Sequence, residues 1–357
     1  MNDNSQYFIP ELSIEQIKEI TASIPFTCIP FDIQNDTYDK EVFWRYSLEP
    51  EHFTAEIVSK AGENPTPDRI AQYLFFSPLI PHSITRLVFN YYNKYPSFLH
   101  YYFLAPVIDF MPIIDALSVI FSRISLPYGK KDLISIMENA GRVFIKHPTF
   151  IPDDEYCVTH LIACCLYYSY TIYIGTEITK QKFLSICRSH SLSKKVSKSF
   201  IDAVFNMITK TPIGLTFSFS HPKFNPNFNH SGMLMAPVGL FGQCKKIFAK
   251  IEQFSLKLYN NETCTSEIGG FALLNVLFIS PAPNSNKKYS FTLFSEDNGS
   301  VGYRIEFGKY EIIDPNQFYL IASSEEDHEK WRSSIMHSAF LKTMNNLMDM
   351  PPWKDPE

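Results

Sequence analysis

The segment IIDALSVIFSRISLPYGKKDLISIMENAGRVF, residues 113–144, decides the fold of the first half of the chain. On both sides of its centre, apolar residues recur every three or four positions, which is typical of a helix with one buried face. Pro127 and Gly129 interrupt this pattern within the turn Leu126-Pro127-Tyr128-Gly129. We therefore expect two packed helices to meet at a sharp corner.

The next segment, CVTHLIACCLYYSYTIYIG at residues 157–175, carries no formal charge while His160 is neutral. It has the length of a membrane span. However, its serine, threonines and tyrosines are too polar for lipid, which favours a helix buried in protein. A long uncharged helix beside a sharp corner predicts a groove in which a protein partner docks.

The remaining pattern before residue 210 is also helical. Thr66 and Ser83 are candidate N-caps, and Pro67 suits the first position of a helix. Further helices are predicted near residues 98–106, 111–124, 131–145, 155–173, 177–188 and 194–209. The unequal helix lengths favour an all-α array over a heptad bundle.

After residue 231 the apolar period changes from helical to two. Asp297-Asn298-Gly299 lies between the strand-like runs YSFTLF and VGYRIEF, which predicts a hairpin. Residues 323–327 predict a capping box that opens a C-terminal helix. We expect an α+β domain, a seven-stranded β barrel or sandwich capped by that helix. The predicted organisation is an N-terminal extension (1–49), an all-α domain (50–212), a Phe-rich linker (213–229), the barrel domain (230–342) and a tail (343–357).

The composition of the chain argues against several classes of function. The chain has 357 residues and a net charge of -5, so nucleic acid is not expected as a partner. Its 7 cysteines include no CxxC pair, and its histidines have no metal spacing, so reduced thiols and no metal site are expected. The glycines form no phosphate-binding motif, and nothing indicates a hydrolase or a cofactor. The N-terminus has no signal-peptide pattern, which predicts a cytoplasmic location.

Five helical segments, in order, resemble the Sec-seven domain, the exchange module that releases GDP from Arf-family GTPases. The segments are TPDRIAQYLF, IIDALSVIFSRISLP, DDEYCVTHLIACCLYYSY, TEITKQKFLSICRS and SFIDAVFNMITKTPI. The last domain resembles a pleckstrin-homology domain, from its strand at residues 232–235, its Lys245-Lys246 turn and Trp331 in the closing helix. This order is similar to the layout of the cytohesin-like exchange factors.

The resemblance implies a catalytic role for the corner, but the residues of the corner differ from the family's motif. In the family, a Leu-Pro-Gly-Glu turn presents a catalytic glutamate that repels the β-phosphate of the bound nucleotide. Here Gly129 occupies that position, and two lysines follow. Asp132 is the nearest carboxylate, about one helical turn or ~5 Å further on, and is a weak stand-in. The family's catalytic residue is therefore absent, and no covalent catalysis is expected.

The family's second motif lies on the groove helix, where this chain reads Leu166-Tyr167-Tyr168-Ser169-Tyr170-Thr171. The family's asparagine and histidine are missing. Leu166, Tyr167, Tyr168 and Tyr170 are predicted to line the GTPase groove, and Tyr173 is a further candidate. The alternative is that they are ordinary core residues whose hydroxyl groups are hydrogen-bonded.

The lipid-binding lysines of such barrel domains are only partly present. The family's first lysine aligns with Ala236, and its later basic pair aligns with Lys245 and Ile247. Lys246 remains, together with Lys287 and Lys288 from another loop. The resemblance implies weak contact with an anionic or phosphoinositide-containing membrane, hence a peripheral location on membranes. The alternative is that these lysines only solubilise the surface.

Two functions follow from the resemblance. The first is an Arf-family exchange-factor-like protein that regulates Arf signalling and membrane traffic by docking the GTPase in its helical groove. The second is a catalytically inert relative that binds the GTPase as a scaffold or sequestering module.

Overall fold

The computed structural model describes most of the chain from residue 66 to residue 349. The described residues are 66–77, 81–106, 108–109, 111–127, 129–147, 154–176, 178–188, 196–217, 227–238, 243–274, 276–282, 287–295, 302–306, 308–313 and 319–349. The turn at 297–299, Tyr128 and the predicted extension at 1–49 lie outside them.

The described residues belong to two compact units. The helical unit takes them from the ranges 11–126, 133–218 and 348–357. The sheet unit takes them from 127–132 and 219–347.

The helical unit contains one short pair of strands and eight described helices, of which the fifth begins with three residues, 130–132, that are assigned to the sheet unit. The helices are α1 (Pro67–Phe76), α2 (Pro81–Lys94), α3 (Phe98–Leu104), α4 (Ile113–Phe121), α5 (Lys130–Phe144), α6 (Glu155–Tyr173), α7 (Lys180–Arg188) and α8 (Lys198–Lys210). The strands β1 (Ser125–Leu126) and β2 (Thr216–Phe217) pair in parallel. The helices follow the predicted segments closely, and α6 has the predicted bounds.

Local sequence explains several of the helix starts. The Asp154 side chain accepts a hydrogen bond from the backbone N–H of Tyr156 and caps α6. Ser197 caps α8 in the same way through the N–H of Phe200. Thr66 occupies the predicted N-cap of α1, but its side chain makes no capping bond there.

The sheet unit is one curled antiparallel sheet with a long C-terminal helix. Its strands are β3 (Ser231–Val238), β4 (Gln243–Glu252), β5 (Ser255–Tyr259), β6 (Glu267–Ala272), β7 (Val276–Ile279), β8 (Ser290–Ser295), β9 (Gly302–Glu306), β10 (Lys309–Ile313) and β11 (Tyr319–Ile321). Their order in the sheet is β10-β9-β6-β5-β4-β3-β11-β8-β7. The described strands therefore number nine, where the sequence pattern predicted seven.

The predicted hairpin between YSFTLF and VGYRIEF is wrong. These runs form β8 and β9, but β8 pairs with β7 and β11, whereas β9 pairs with β10 and β6. The glycines of β6 explain the pairing with β9. A Cβ atom on Gly269 would lie 2.5 Å from the carbonyl oxygen of Tyr303, and one on Gly270 would lie 2.7 Å from its hydroxyl. Only residues without side chains allow β9 to approach this closely.

Helix α9 (Glu325–Asp349) closes the sheet unit and begins at the predicted capping box. Ser324 Oγ accepts from the N–H of Asp327, and Asp327 Oδ2 accepts from the N–H of Ser323. Trp331 is fully buried. The helix continues to Asp349, through residues that the sequence pattern assigned to a tail. No helix among the described residues is both long and apolar enough to cross a membrane.

Candidate functional site

The approach to the Leu126–Gly129 turn is fixed by a buried arginine. Arg123 donates from Nε to the carbonyl of Phe75 at 3.0 Å and from its guanidinium to the carbonyl of Ser77. Its own carbonyl accepts from the Tyr102 hydroxyl at 2.8 Å. The two acceptors are carbonyls at the C-terminal end of α1, where the helix dipole favours a cation. Burial lowers the pKa of the Arg123 guanidinium.

Strand β1 adds a second set of polar contacts just before the turn. The N–H of Ser125 donates to Thr85 Oγ1 of α2 at 2.7 Å. Ser125 Oγ lies 3.1 Å from Thr216 Oγ1 of β2. The predicted corner is therefore not a direct junction of two helices. A short strand precedes the turn, and the first residues of the predicted linker pair with it.

The turn has the predicted position, and its residues are mostly buried. Leu126, Pro127 and Gly129 are all buried, whereas Lys130 and Asp132 of the first turn of α5 are half-buried. Gly129 has no side chain, so the tip carries no carboxylate. A carboxylate in the first helical turn, such as that of Asp132, interacts favourably with the positive end of the helix.

The four predicted groove residues lie inside the helical unit. Leu166 and Tyr170 are 0% exposed, Tyr168 is 2% exposed and Tyr167 is 7% exposed. Burial raises the pKa of the Tyr170 hydroxyl, and burial followed by the nearby charge of Asp349 raises that of Tyr167. In this conformation the four residues contact the chain itself. Their role in docking a GTPase stays a prediction.

Tyr168 joins α6 to the two helices that follow. Its ring centroid lies 4.8 Å from that of Phe205 on α8 and 5.2 Å from that of Phe183 on α7. Its hydroxyl is 3.0 Å from Thr209 Oγ1. These contacts give Tyr168 a stabilising role in the core, which was the alternative to the groove role.

Residues from the predicted linker cover the other side of α6. The ring centroid of Phe217 lies 5.2 Å from that of Tyr170 and 5.5 Å from that of Tyr173. Ser169 Oγ accepts from the N–H of Ile213 at 3.2 Å. Tyr173 is 53% exposed at the end of α6. The sequence also predicts a groove role for Tyr173, and it is the most exposed of the five candidates.

Cys164 and Cys165 of the helical core do not resemble activated nucleophiles. Cys164 Sγ lies 3.7 Å from His160 Nε2, a pairing seen in cysteine-dependent enzymes. However, burial raises the pKa of Cys164 and Cys165 well above the usual range. Because the thiolate is the reactive form, buried thiols of this kind are inert at neutral pH. The described cysteines are free, as the sequence predicts.

One serine–histidine–glutamate arrangement occurs in the sheet unit. Ser280 Oγ lies 2.8 Å from His328 Nε2, and His328 Nδ1 lies 3.1 Å from a Glu329 oxygen. Ser280 also donates to the carbonyl of Ser290 at 3.0 Å, which occupies its only proton. Glu329 is shared with Arg332 at 3.0 Å. The arrangement ties the end of β7 to α9 and does not present an activated nucleophile.

The predicted lipid-binding lysines lie on β4 and just before β8. Lys245 and Lys246 are consecutive residues of β4, so their side chains leave opposite faces of the strand. Lys245 pairs across the ladder with Ala236, and its Nζ donates to Asn260 Oδ1 at 3.1 Å. Lys287 and Lys288 are exposed before β8, where Lys288 Nζ lies 5.3 Å from the Tyr289 ring centroid.

The comparison with protein families decides what the helical region is. Residues 40–213 match the family model described as "Sec7 domain". This region is a Sec7 domain. The match covers α1 to α8 and includes both the degenerate turn and the buried helix α6. The Sec7 domain identified from the five sequence segments is thereby confirmed. A search among curated protein sequences finds no significant match.

Solved structures similar to the chain include other Sec7 domains. The catalytic domain of Sec7p shares 16% identity with a TM-score of 0.43, covering 49% of this chain and 97% of that one. A chimera of the Rickettsia prowazekii RalF Sec7 domain with the Legionella pneumophila RalF capping domain shares 11% identity with a TM-score of 0.43. It covers 87% of this chain and 94% of that one. RalF itself shares 10% identity with a TM-score of 0.40, covering 88% and 97% respectively.

Proposed function

We propose that this chain is an Arf exchange-factor-like protein that docks an Arf-family GTPase with its Sec7 domain and thereby regulates Arf signalling and membrane traffic. The observation that carries this proposal is the match of residues 40–213 to the Sec7 domain. The polar contacts of Arg123 and Ser125 support it, because they fix the approach to the turn independently of the turn's own chemistry.

Docking on α6 requires a change at the linker. Phe217 packs against Tyr170 and Tyr173, so a partner that contacts these tyrosines displaces Phe217 from them. The two-residue pairing of β2 with β1 and the contacts of these side chains oppose that displacement. Phe217→Ala is therefore expected to strengthen GTPase binding, if the chain remains folded.

The inert relative is the second candidate function, and Gly129 is the observation that favours it. The finger mechanism needs a negative charge that repels the β-phosphate, and a glycine supplies none. Gly129 is also buried in this conformation. Under this second candidate the protein binds the GTPase without accelerating the release of GDP.

Release of a fluorescent GDP from an Arf-type GTPase, with and without the full chain, separates the two candidates. Acceleration supports the exchange factor and rules out the inert scaffold. Binding of the nucleotide-free GTPase without acceleration supports the scaffold. Absence of binding to every Arf-type GTPase of the source organism contradicts both candidates.

A charge-specific variant pair tests the turn itself. Gly129→Glu restores the family's carboxylate, and Gly129→Gln adds a side chain of nearly the same size without the charge. We expect GDP release to accelerate with the glutamate and not with the glutamine, since only the charged group repels the β-phosphate. Equal rates for the two variants would contradict a docking site at this turn.

We further propose that the sheet unit is a pleckstrin-homology-like domain that contacts an anionic membrane weakly. Seven of its strands (β3–β8 and β11) followed by the helix that buries Trp331 support this proposal. Each basic residue near an anionic leaflet contributes about 1 kcal/mol. Liposome flotation tests it: Lys245→Ala and Lys246→Ala should each lower the bound fraction, with Lys330→Ala on α9 as the control. An unchanged fraction would remove these lysines from the proposed contact.

A further inference from the structure

The β9–β10 hairpin forms one edge of the described sheet. Among the described strands, β10 pairs only with β9, so its outer edge directs backbone N–H and C=O groups away from the sheet. The pairing runs without a register shift from Lys309–Glu306 to Ile313–Gly302. Natural sheets protect such edges with very short strands, prolines, bulges, charged side chains or a covering segment. β10 has five residues, neither a proline nor a bulge, and two charged residues, Lys309 and Glu311.

The side chains of β10 are unusually apolar for an exposed strand. Tyr310 is 73% exposed and Ile312 is 68% exposed, and the alternation of a strand places both on one face. Behind them on β9, Ile305 lies opposite Tyr310 and Tyr303 lies opposite Ile312. The ring centroids of Tyr303 and Tyr310 are 5.5 Å apart. These four residues form an apolar strip that continues to the open edge, which is typical of an interaction surface.

We propose that β10 is a self-association edge, which pairs antiparallel with β10 of a second copy of this chain about a two-fold axis at Tyr310. Directly opposite residues of an antiparallel pair point to the same face. The two apolar strips therefore meet on one face only when the axis passes through a residue position. Such an interface is isologous, because each copy contributes the same edge.

The charges of β10 select the position of the axis. With the axis at Tyr310, Lys309 of each copy lies opposite Glu311 of the other, which gives two opposite-charge pairs. With the axis at Glu311, the two glutamates would oppose each other. With the axis at Ile312, Lys309 would have no glutamate opposite it. Charge complementarity thus favours a second copy of this chain in one defined register.

Sedimentation of the full chain over a concentration series tests the proposal. One five-residue strand pair is a small interface, so we expect a weak dimer with a dissociation constant on the order of 100 µM. Lys309→Glu and Glu311→Lys, each alone, turn both opposite-charge pairs into like-charge pairs. Each variant should raise the dissociation constant about tenfold.

Two combinations of these substitutions make the test specific for the register. An equimolar mixture of the two single variants should associate again, because an acidic β10 then faces a basic one. The double exchange Lys309→Glu/Glu311→Lys should restore self-association within one chain. A misfolded variant could not give either rescue. Glu262→Lys, a charge reversal at another exposed residue of the sheet unit, should leave the dimer unchanged.

Three results would overturn the proposal. The first is a wild-type chain that stays monomeric up to about 1 mM, ten times the expected constant. The second is self-association that neither single variant weakens, which would place the interface elsewhere. The third is failure of both rescues, which would exclude pairing in this register.

Discussion

Helix α6 and strand β10 have similar side chains and opposite surroundings. Both carry tyrosine and isoleucine, yet Tyr168 and Tyr170 are at most 2% exposed, whereas Tyr310 is 73% exposed. The difference arises because α7, α8 and the linker residue Phe217 pack around α6, while β10 ends the described sheet. Aromatic content alone therefore does not distinguish a buried residue from an exposed one, and the neighbouring elements do.

Replacing one tyrosine in each region should give the largest difference. Tyr168→Ala removes a buried ring that contacts α7 and α8, and should lower the free energy of unfolding by about 3–5 kcal/mol. Tyr310→Ala should change it by about 0.5 kcal/mol or less, because its ring is mostly in water. Urea denaturation followed by far-ultraviolet circular dichroism measures both. Similar losses of stability in the two variants would contradict the contrast between the two regions.

Two arginines give the next contrast. Arg123→Met leaves the carbonyls of Phe75 and Ser77 without their buried donor, and should cost about 2–4 kcal/mol. Arg304→Met removes an exposed ion pair with Glu311 at 3.6 Å, and should cost about 0.5 kcal/mol or less. The same denaturation experiment applies. A small loss at Arg123 would mean that water replaces the guanidinium at the end of α1.

Gly269→Ala tests the attachment of the hairpin directly. The added Cβ would lie 2.5 Å from the Tyr303 carbonyl oxygen, so β6 and β9 must separate, at a cost of about 2 kcal/mol. Hydrogen exchange should become faster in β9 and β10 and stay unchanged in α6. Gly214→Ala is the control, because a Cβ there meets no atom within 4 Å. Unchanged exchange in β9 would show that the close approach is not required.

The smallest effect concerns pH. Burial lowers the pKa of His337 on α9 to about 3, against an ordinary value of 6.5. The folded chain therefore stays unprotonated at this residue while the unfolded chain binds a proton as the pH falls below 6.5. Stability is retained above that pH and falls below it, by about 1.4 kcal/mol at pH 5.5.

Denaturation of His337→Met at pH 7.5 and pH 5.5 isolates this contribution. The variant should lose less stability than the wild type between the two pH values, by that same amount. His100 and His230, whose pKa values burial also lowers, remain in both proteins and leave a common residual dependence. An identical pH dependence in the variant would assign the whole effect to other groups. The β9–β10 hairpin contains no histidine and therefore adds no histidine titration to this pH dependence.

Patterns within one element predicted the fold well, and pairings between distant elements were predicted poorly. The capping box at Ser324 and the breaks at Pro127 and Gly129 act through neighbouring residues, so the start of α9 and the corner before α5 follow from the sequence. The Asp297-Asn298-Gly299 signal is equally local, but it predicted the wrong partner for β9. The two glycines of β6 lie about thirty residues earlier and decide that pairing by allowing close approach.

The same contrast between local patterns and long-range contacts applies to the candidate site. The sequence by itself determined the position of the turn, the glycine at its tip and the long uncharged helix, because residue identity and spacing are written in the chain. Only the tertiary structure decided that Arg123 holds the end of α1, that Phe217 covers Tyr170, and that Tyr310 remains exposed. The first two depend on contacts between residues that are far apart in the sequence, and the third depends on the lack of such a contact among the described strands. Burial is set by contacts of this kind.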